Sequence, residues 1–159
     1  MGQRSQALAE QFEQANRQMT ATIERCSEAQ WKARTSSETW PVGVVAHHVG
    51  QSHEGIAGLV RMIANGQPLP PMTMDMINQG NAEHAKQFAN VTREETLALI
   101  KKNGAAAASA VRGLSDEQLD RSAPVLGGPP MTAQQVIERV LIGHVKEHHG
   151  SIQAILGAK

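Results

Sequence analysis

The sequence contains no tyrosine, and its only aromatic residues are two phenylalanines and two tryptophans. Hydrophobic residues make up 40% of the 159 positions, so the core must come from aliphatic side chains and methionine. Such a composition favours helices over sheets, because aromatic and β-branched residues dominate strands. A chain of this length can bury a core without disulfides, and we expect one domain spanning residues 1–159.

Three further absences exclude classes of protein. Cys26 is the only cysteine, which excludes an intrachain disulfide and favours a reducing compartment. Lys plus Arg and Asp plus Glu number 15 each, without a basic stripe, so a nucleic-acid-binding protein is not expected. No apolar run approaches the ~18 residues of a membrane span, and Met1–Gln6 lacks the apolar segment of a signal peptide. We therefore expect a cytoplasmic protein without membrane partners.

Apolar residues recur at three- and four-residue intervals, which is the period of amphipathic helices. The pattern predicts helices over residues 5–26, 39–64, 74–88, 97–111 and 132–156. Threonines at 39, 92 and 132 are suitable helix caps, and Asn65-Gly66 and Gly113 are stop signals. The Pro-rich segment 67–71 and the Gly-Gly-Pro-Pro sequence at 127–130 are predicted loops.

Six of the seven histidines lie in two short segments, 47–53 and 144–149, each within a predicted helix. His144 and His148 are four residues apart and therefore share one helix face. They follow the apolar line of that helix, where two unpaired imidazoles would be costly to bury. A metal ion binds both in their neutral form and removes that cost. His48 occupies a similar inward position on the second helix, so the three together form a candidate metal site.

Other polar side chains near these segments have more ordinary interpretations. His47 and His149 lie about 100° around their helices from the neighbouring histidines, and we expect them at the solvent or at an interface. His53 and Glu147 are candidate hydrogen-bond partners of a ligand or a candidate general base, but a solvated position is equally consistent. His84 lies on the third helix and is expected outside the site.

Residues 40–48, W-P-V-G-V-V-A-H-H, resemble the signature of the DinB/YfiT-like family, a helix-starting Trp40 followed eight residues later by a ligand histidine. Residues 113–119, G-L-S-D-E-Q-L, and the terminal H-x3-H pair are also similar to motifs of that family. The resemblance covers nearly the whole chain in the expected order. Pro41 and His149 depart from the commoner pattern and leave the substrate pocket undefined.

The resemblance implies an all-α fold, a four-helix bundle with a long crossover and one additional short helix, often as a homodimer. It implies a divalent metal on His48, His144 and His148, nickel or zinc first, with iron, cobalt or manganese also accepted. Members of the family include thiol-dependent transferases, which attach a low-molecular-weight thiol to an electrophile, and a mycothiol-dependent maleylpyruvate isomerase. For this chain the resemblance therefore implies a small-molecule substrate.

Three hypotheses for the function follow. The first is a metal-dependent enzyme, a thiol S-transferase-like protein or a hydrolase, whose metal activates a low-molecular-weight thiol or water. The second is a metal-binding protein without catalysis, which requires a fourth protein ligand such as His53 or Glu147. The third is a stress-related helical scaffold whose histidines only form hydrogen bonds in the core. Cys26 lies on an apolar line and is expected to be a core residue rather than a nucleophile.

Overall fold

The computed structural model describes residues 2–157, which form four long helices joined by shorter elements. In chain order the elements are α1 (Gln3–Glu24), α2 (Glu28–Lys32), α3 (Val42–Ala64), α4 (Met74–Gln87), α5 (Arg93–Arg112), α6 (Asp116–Asp120), β1 (Ser122–Pro124), β2 (Pro130–Thr132), α7 (Ala133–Val136), a π-helical turn (Ile137–Ile142) and α8 (Gly143–Gly157). The turn makes α7 and α8 parts of one long helix. This architecture confirms the predicted helical bundle.

The four bundle helices pack around an aliphatic core. Both α1 and α3 lie against α5 and α8, so each long helix has two neighbours in the bundle. The largest fully buried side chains of the core are mostly aliphatic: Phe12, Met19, Ile23, Ile63, Ile100, Leu119, Ile137, Leu141 and Ile152. Cys26 is buried among them, as expected for a core thiol. None of the described helices is long and apolar enough to cross a membrane.

Local capping chemistry determines most helix starts. Ser27, Ser115 and Thr132 each form a reciprocal capping box with a glutamine three residues later. Thr92 caps α5 by accepting a hydrogen bond from the backbone N–H of Glu95, so α5 begins at Arg93 rather than at the predicted residue 97. Thr92 and Thr132 are thus helix caps, as the sequence predicted.

Thr39 is not the cap of α3, although the sequence made it a suitable candidate. The residue has a positive φ of 61°, and α3 begins after Pro41, which makes no side-chain cap. The carbonyl oxygen of Thr39 accepts a hydrogen bond from Nη1 of Arg34 at 2.6 Å. Left-handed backbone is unfavourable for a β-branched residue, so the surrounding turn must hold this conformation.

The connection between α6 and α7 contains two features that the sequence analysis did not predict. Residues 122–124 and 130–132 pair as a short antiparallel hairpin around the Gly-Gly-Pro-Pro loop. The last helix contains the π-helical turn at Ile137–Ile142, two residues before His144. A π-helical turn contains more residues than an α-helical turn, so it rotates the side chains that follow it around the helix axis.

The inward face of α3 differs from the predicted one. We expected Val45, His48, Ser52, Ile56, Leu59 and Ile63 to face the core. Only the first and last of these are buried, and the four in between are half-buried. The fully buried line is instead Val49, His53, Ala57 and Val60. The face that carries His48 is therefore partly open to solvent.

Close approach of α3 and α5 requires glycine at position 50. A Cβ atom there would lie 2.8 Å from Cγ1 of Ile100, which is closer than carbon atoms approach. The contact also brings Nδ2 of Asn103 within 3.0 Å of the carbonyl oxygen of Gly50. The absence of a side chain at Gly50 therefore allows α3 and α5 to pack closely at this position.

Replacing Gly50 with alanine should destabilise the protein by about 1–3 kcal/mol, because the new methyl group overpacks against Ile100. Urea unfolding measures this change. The matched control is Gly80→Ala on α4, where a Cβ meets nothing within 4 Å. That substitution should be neutral or stabilise by up to about 1 kcal/mol, as alanine favours helices. Equal effects at both positions would contradict the packing argument.

Candidate metal centre

Three histidines from two helices converge at one place in the bundle. His48 comes from α3, whereas His144 and His148 come from consecutive turns of α8. One ring nitrogen of each lies within 4.8 Å of the others. Nε2 of His48 is 3.1 Å from Nε2 of His144, and the rings of His144 and His148 have centroids 4.4 Å apart. The structure therefore brings together the three residues that the sequence analysis selected.

His148 is held by a carboxylate from the connector before α3. Its Nδ1–H donates a hydrogen bond to Oε2 of Glu38 at 2.6 Å, and the two side chains are only 13% and 10% exposed. This bond leaves Nε2 of His148 free to act as a ligand atom. Paired carboxylate and imidazole groups of this kind orient the ring and raise its basicity. Sequence reasoning missed Glu38, since nothing local marks it.

A compact turn positions Glu38. The backbone N–H of Thr39 bonds to the carbonyl of Thr35, and that of Thr35 bonds to the carbonyl of Trp40. The left-handed conformation of Thr39 lies at the point where the chain reverses next to Glu38. Burial opposes ionisation of Glu38, but contacts with Thr35, His148 and Ser151 outweigh it and lower the pKa of the carboxyl. The group is thus a carboxylate at neutral pH.

Aromatic rings surround His48. The Trp40 indole and the His84 imidazole each contact it edge-on, with ring centroids 5.7 Å away. His84 is the only buried residue among those described in α4, and its Nε2 lies 2.8 Å from Nδ1 of His47. The Phe88 ring stacks on His47 at 4.0 Å. α4 therefore covers the His48 side of the site through a histidine that we had expected elsewhere.

The remaining candidates lie outside the cluster. His47 is buried against α4 rather than at the solvent. His53 is completely buried, and its Nε2–H donates to Oδ1 of Asn16 at 2.9 Å, so it does not face solvent either. Nε2 of His149 lies 2.7 Å from the Thr22 hydroxyl at the contact between α8 and α1. Glu147 is exposed. Within residues 2–157, no other histidine, cysteine or carboxylate joins the three-histidine group.

Burial keeps two of the converging imidazoles neutral. Together with the charges of neighbouring histidines, it lowers the pKa of His48 to about 4 and that of His144 to about 3. At neutral pH these rings therefore carry lone pairs rather than a positive charge. Nδ1 of His144 is buried without a hydrogen-bond partner among the described residues. Histidine binds metal ions in its neutral form, because the ligand nitrogen must have a free lone pair.

The donor set fits a divalent cation. Two nitrogens bound to one zinc ion at about 2.0–2.1 Å lie about 3.3 Å apart in tetrahedral geometry. The 3.1 Å separation of the His48 and His144 Nε2 atoms is close to that distance. Three imidazole ligands suit zinc, nickel, cobalt and iron better than calcium or magnesium. The cluster has the residue types, spacing and burial that a three-histidine metal site requires.

Acid should destabilise the metal-free protein through its buried histidines. The pKa of His53 is lowered by burial to about 4 in the folded chain, whereas in the unfolded chain it is about 6.5. Unfolding thus takes up protons between these values, so stability is complete above pH 6.5 and falls towards pH 4. For His53 alone the loss amounts to about 3 kcal/mol.

Urea unfolding of the metal-free chain between pH 7 and pH 4 measures this dependence. The His53→Gln variant keeps a donor for Asn16 but cannot titrate, so its stability should fall less steeply over the same interval. An equal slope for the variant and the native chain would contradict the role of His53.

Solved structures with the same fold have related descriptions. One is YfiT from Bacillus subtilis, described as a probable metal-dependent hydrolase with an unusual four-helix bundle topology; it is 15% identical, with a TM-score of 0.77 over 98% of this chain and 87% of that one. Two structures of the mycothiol-dependent maleylpyruvate isomerase, one of a mutant, are 13% and 12% identical, each with a TM-score of 0.75 over 96% of this chain. This chain spans 63% of the isomerase chain. These identities show a shared fold alone.

Comparison with curated proteins gives no match. The sequence model of one family, described as the DinB superfamily, does match, over residues 11–152. That range includes α3 and α5 completely, most of α1 and of α8, and each of the three converging histidines. The match covers most of the chain and agrees with the four-helix bundle of its structural neighbours. The chain belongs to the DinB superfamily.

Proposed function

We propose that this protein is a divalent-metal-dependent enzyme that activates a low-molecular-weight thiol or water for attack on a small electrophilic substrate. The observation that carries the proposal is the convergence of three imidazole nitrogens, one each from His48, His144 and His148, within 4.8 Å of one another. His48, His144 and His148 would hold the ion, with nickel or zinc as the proposed metal. The proposal includes a homodimer, which the family resemblance implies, and a cytoplasmic location.

Incomplete coordination favours catalysis over storage. Structural metal sites in proteins are usually closed by four protein ligands, whereas catalytic sites keep a position for water or substrate. The two residues that could have closed this site are placed elsewhere, since His53 bonds to Asn16 and Glu147 is exposed. Three protein ligands leave at least one position for an exogenous group. The ion would supply Lewis acidity, which makes a thiol or water more acidic and hence more nucleophilic at neutral pH.

The chain's own residues prepare the site in three ways. Glu38 holds the His148 ring by its Nδ1 and keeps Nε2 directed at the cluster. Trp40 and His84 pack on the edges of the His48 ring and restrict its rotation. The aliphatic core beneath the cluster excludes water from one side, so reactants approach from the half-buried face of α3. The two described neighbours, a probable metal-dependent hydrolase and a mycothiol-dependent isomerase, support water and thiols as the candidate nucleophiles.

Elemental analysis of the native chain, followed by assays with the metal-loaded form, tests the proposal. We expect about one nickel or zinc ion per chain, and metal-dependent consumption of a thiol with an electrophile or hydrolysis of an activated ester. His48→Ala should abolish metal binding and activity, because it removes one of three ligands. The control His149→Ala, which alters only the contact with Thr22, should retain both. A metal-loaded chain without either activity would leave a binding protein and overturn the enzymatic proposal.

Glu38→Gln should weaken metal binding about 10- to 100-fold, because a neutral amide oxygen accepts the hydrogen bond from Nδ1–H of His148 more weakly and raises the basicity of the ring less than a carboxylate does. Competition with a chelating dye measures the affinity. Glu147→Gln removes an exposed charge next to His148 in sequence and is the matched control, with unchanged affinity expected. Thermal melting of the metal-free forms checks that both variants fold. Equal affinities for both variants would show that Glu38 has no role at the metal.

A further inference from the structure

An apolar groove of about 810 Å³ lies along the second half of α3. Its walls come from α3, the Pro-rich connection to α4, α4 itself, the β1–β2 loop and the π-helical turn. The apolar lining includes Ile56, Leu59, Met62, Leu69, Ile77 and Val140. Met72 and Leu126, at the edges, are each 43% exposed. The volume is in the range of pockets that bind small organic molecules.

Two glycines on the α3 side of the groove have no packing reason within the chain. A Cβ at Gly55 or Gly58 would meet nothing within 4 Å, and neither residue has a positive φ. This differs from Gly50, where a Cβ would collide with α5. Glycine within a helix is destabilising relative to alanine. The absence of both side chains therefore keeps space open rather than allowing the chain to pack more closely.

The groove lies on the same side of α3 as His48, although the three histidines are not part of its lining. His48, Ser52, Ile56 and Leu59 follow one another at three- and four-residue steps and are all half-buried, so they form one accessible strip on α3. Gly55 is seven residues after His48, about 10 Å along the helix axis. On the last helix, half-buried Val140 lines the groove four residues before His144. A ligand about 10 Å long in the groove would thus reach the three histidines.

The charges in the lining indicate what kind of ligand fits. Glu54 and Arg61 are the only ionisable residues of the lining, and both are exposed at its rim with opposite signs. The two charges add to zero, so the lining attracts neither anions nor cations. The interior is formed by aliphatic chains and flexible methionines, which adapt to different apolar shapes. The body of the ligand is therefore uncharged and apolar.

We propose that this groove binds the uncharged apolar body, alkyl or aryl, of the substrate, with its reactive polar end directed along α3 to the three histidines. The proposal rests on the proposed function, because the metal centre defines which end of the groove is reactive. Gly55 and Gly58 determine the width of the groove and thereby the specificity for bulky apolar groups. Substrates without such a group would bind weakly.

Binding of N-phenyl-1-naphthylamine, an uncharged fluorescent probe, tests the proposal with the full chain. Gly58→Leu and Gly55→Leu should each weaken probe binding about tenfold or more, because the new side chain occupies the groove. Gly80→Leu is the matched control: it makes the same replacement on α4 outside the lining, and the affinity should not change. All three variants should melt at or above the temperature of the native chain. Unchanged affinity in both groove variants would overturn the proposal.

Proximity to the metal is tested by NMR of the bound probe. The cobalt-loaded chain should broaden the probe's proton signals, whereas the zinc-loaded chain should not. Sharp signals with cobalt would place the ligand away from the metal and overturn the proposed orientation.

Three further measurements separate this inference from its alternatives. Metal analysis of the same samples tests only the proposed function. If the chain binds no metal, that function is wrong, whether or not the probe binds. Probe binding to metal-loaded native chain reports on the groove alone. Light scattering tests whether a second copy of the chain covers the groove. A dimer that dissociates in Gly58→Leu would make the groove a subunit interface and overturn the proposal.

Discussion

Burying an imidazole among aliphatic side chains is unfavourable unless its nitrogens have partners, and this constraint dominates the structure around the α3 and α8 helices. His148 has Glu38, His47 has His84, and His53 has Asn16. The ring nitrogens of His48 and His144 face each other instead. Both rings remain neutral because burial lowers their pKa values. Neutral, convergent and partly unsatisfied nitrogens are what a divalent cation stabilises.

Reactants must also reach the site, and one face of α3 is exposed enough to admit them. A fully buried His48 would bind an ion but admit no reactant. The half-buried line through His48 and Leu59 leaves an approach, and α4 covers it through only one buried side chain, His84. The glycines beside this line lower helix propensity without improving packing. The glycines thus lower the stability of α3 at the positions where the proposed groove requires space. Such a trade-off between stability and function is common in proteins.

Much of the fold was predictable because its signals are local. Helix periodicity and caps such as Ser27 and Thr132 act over three or four residues, so they can be read from neighbouring letters. The features that were missed are non-local or irregular. The β1–β2 hairpin has only three residues per strand and no alternating pattern. The π-helical turn has no simple residue signature, and the left-handed Thr39 conformation depends on hydrogen bonds from its surroundings.

The sequence alone determined the three candidate ligands. Sequence spacing identifies an i, i+4 histidine pair on the apolar face of one helix and a third histidine on the apolar face of another. Helix periodicity is sufficient for this assignment, because it gives the face of each residue without knowledge of the fold. Only the tertiary structure decided that these side chains meet, that Glu38, 110 residues away from His148 in sequence, holds one of them, and that His84 covers another. Packing between distant segments determines such contacts, and no local pattern encodes the rotation of one helix relative to the next.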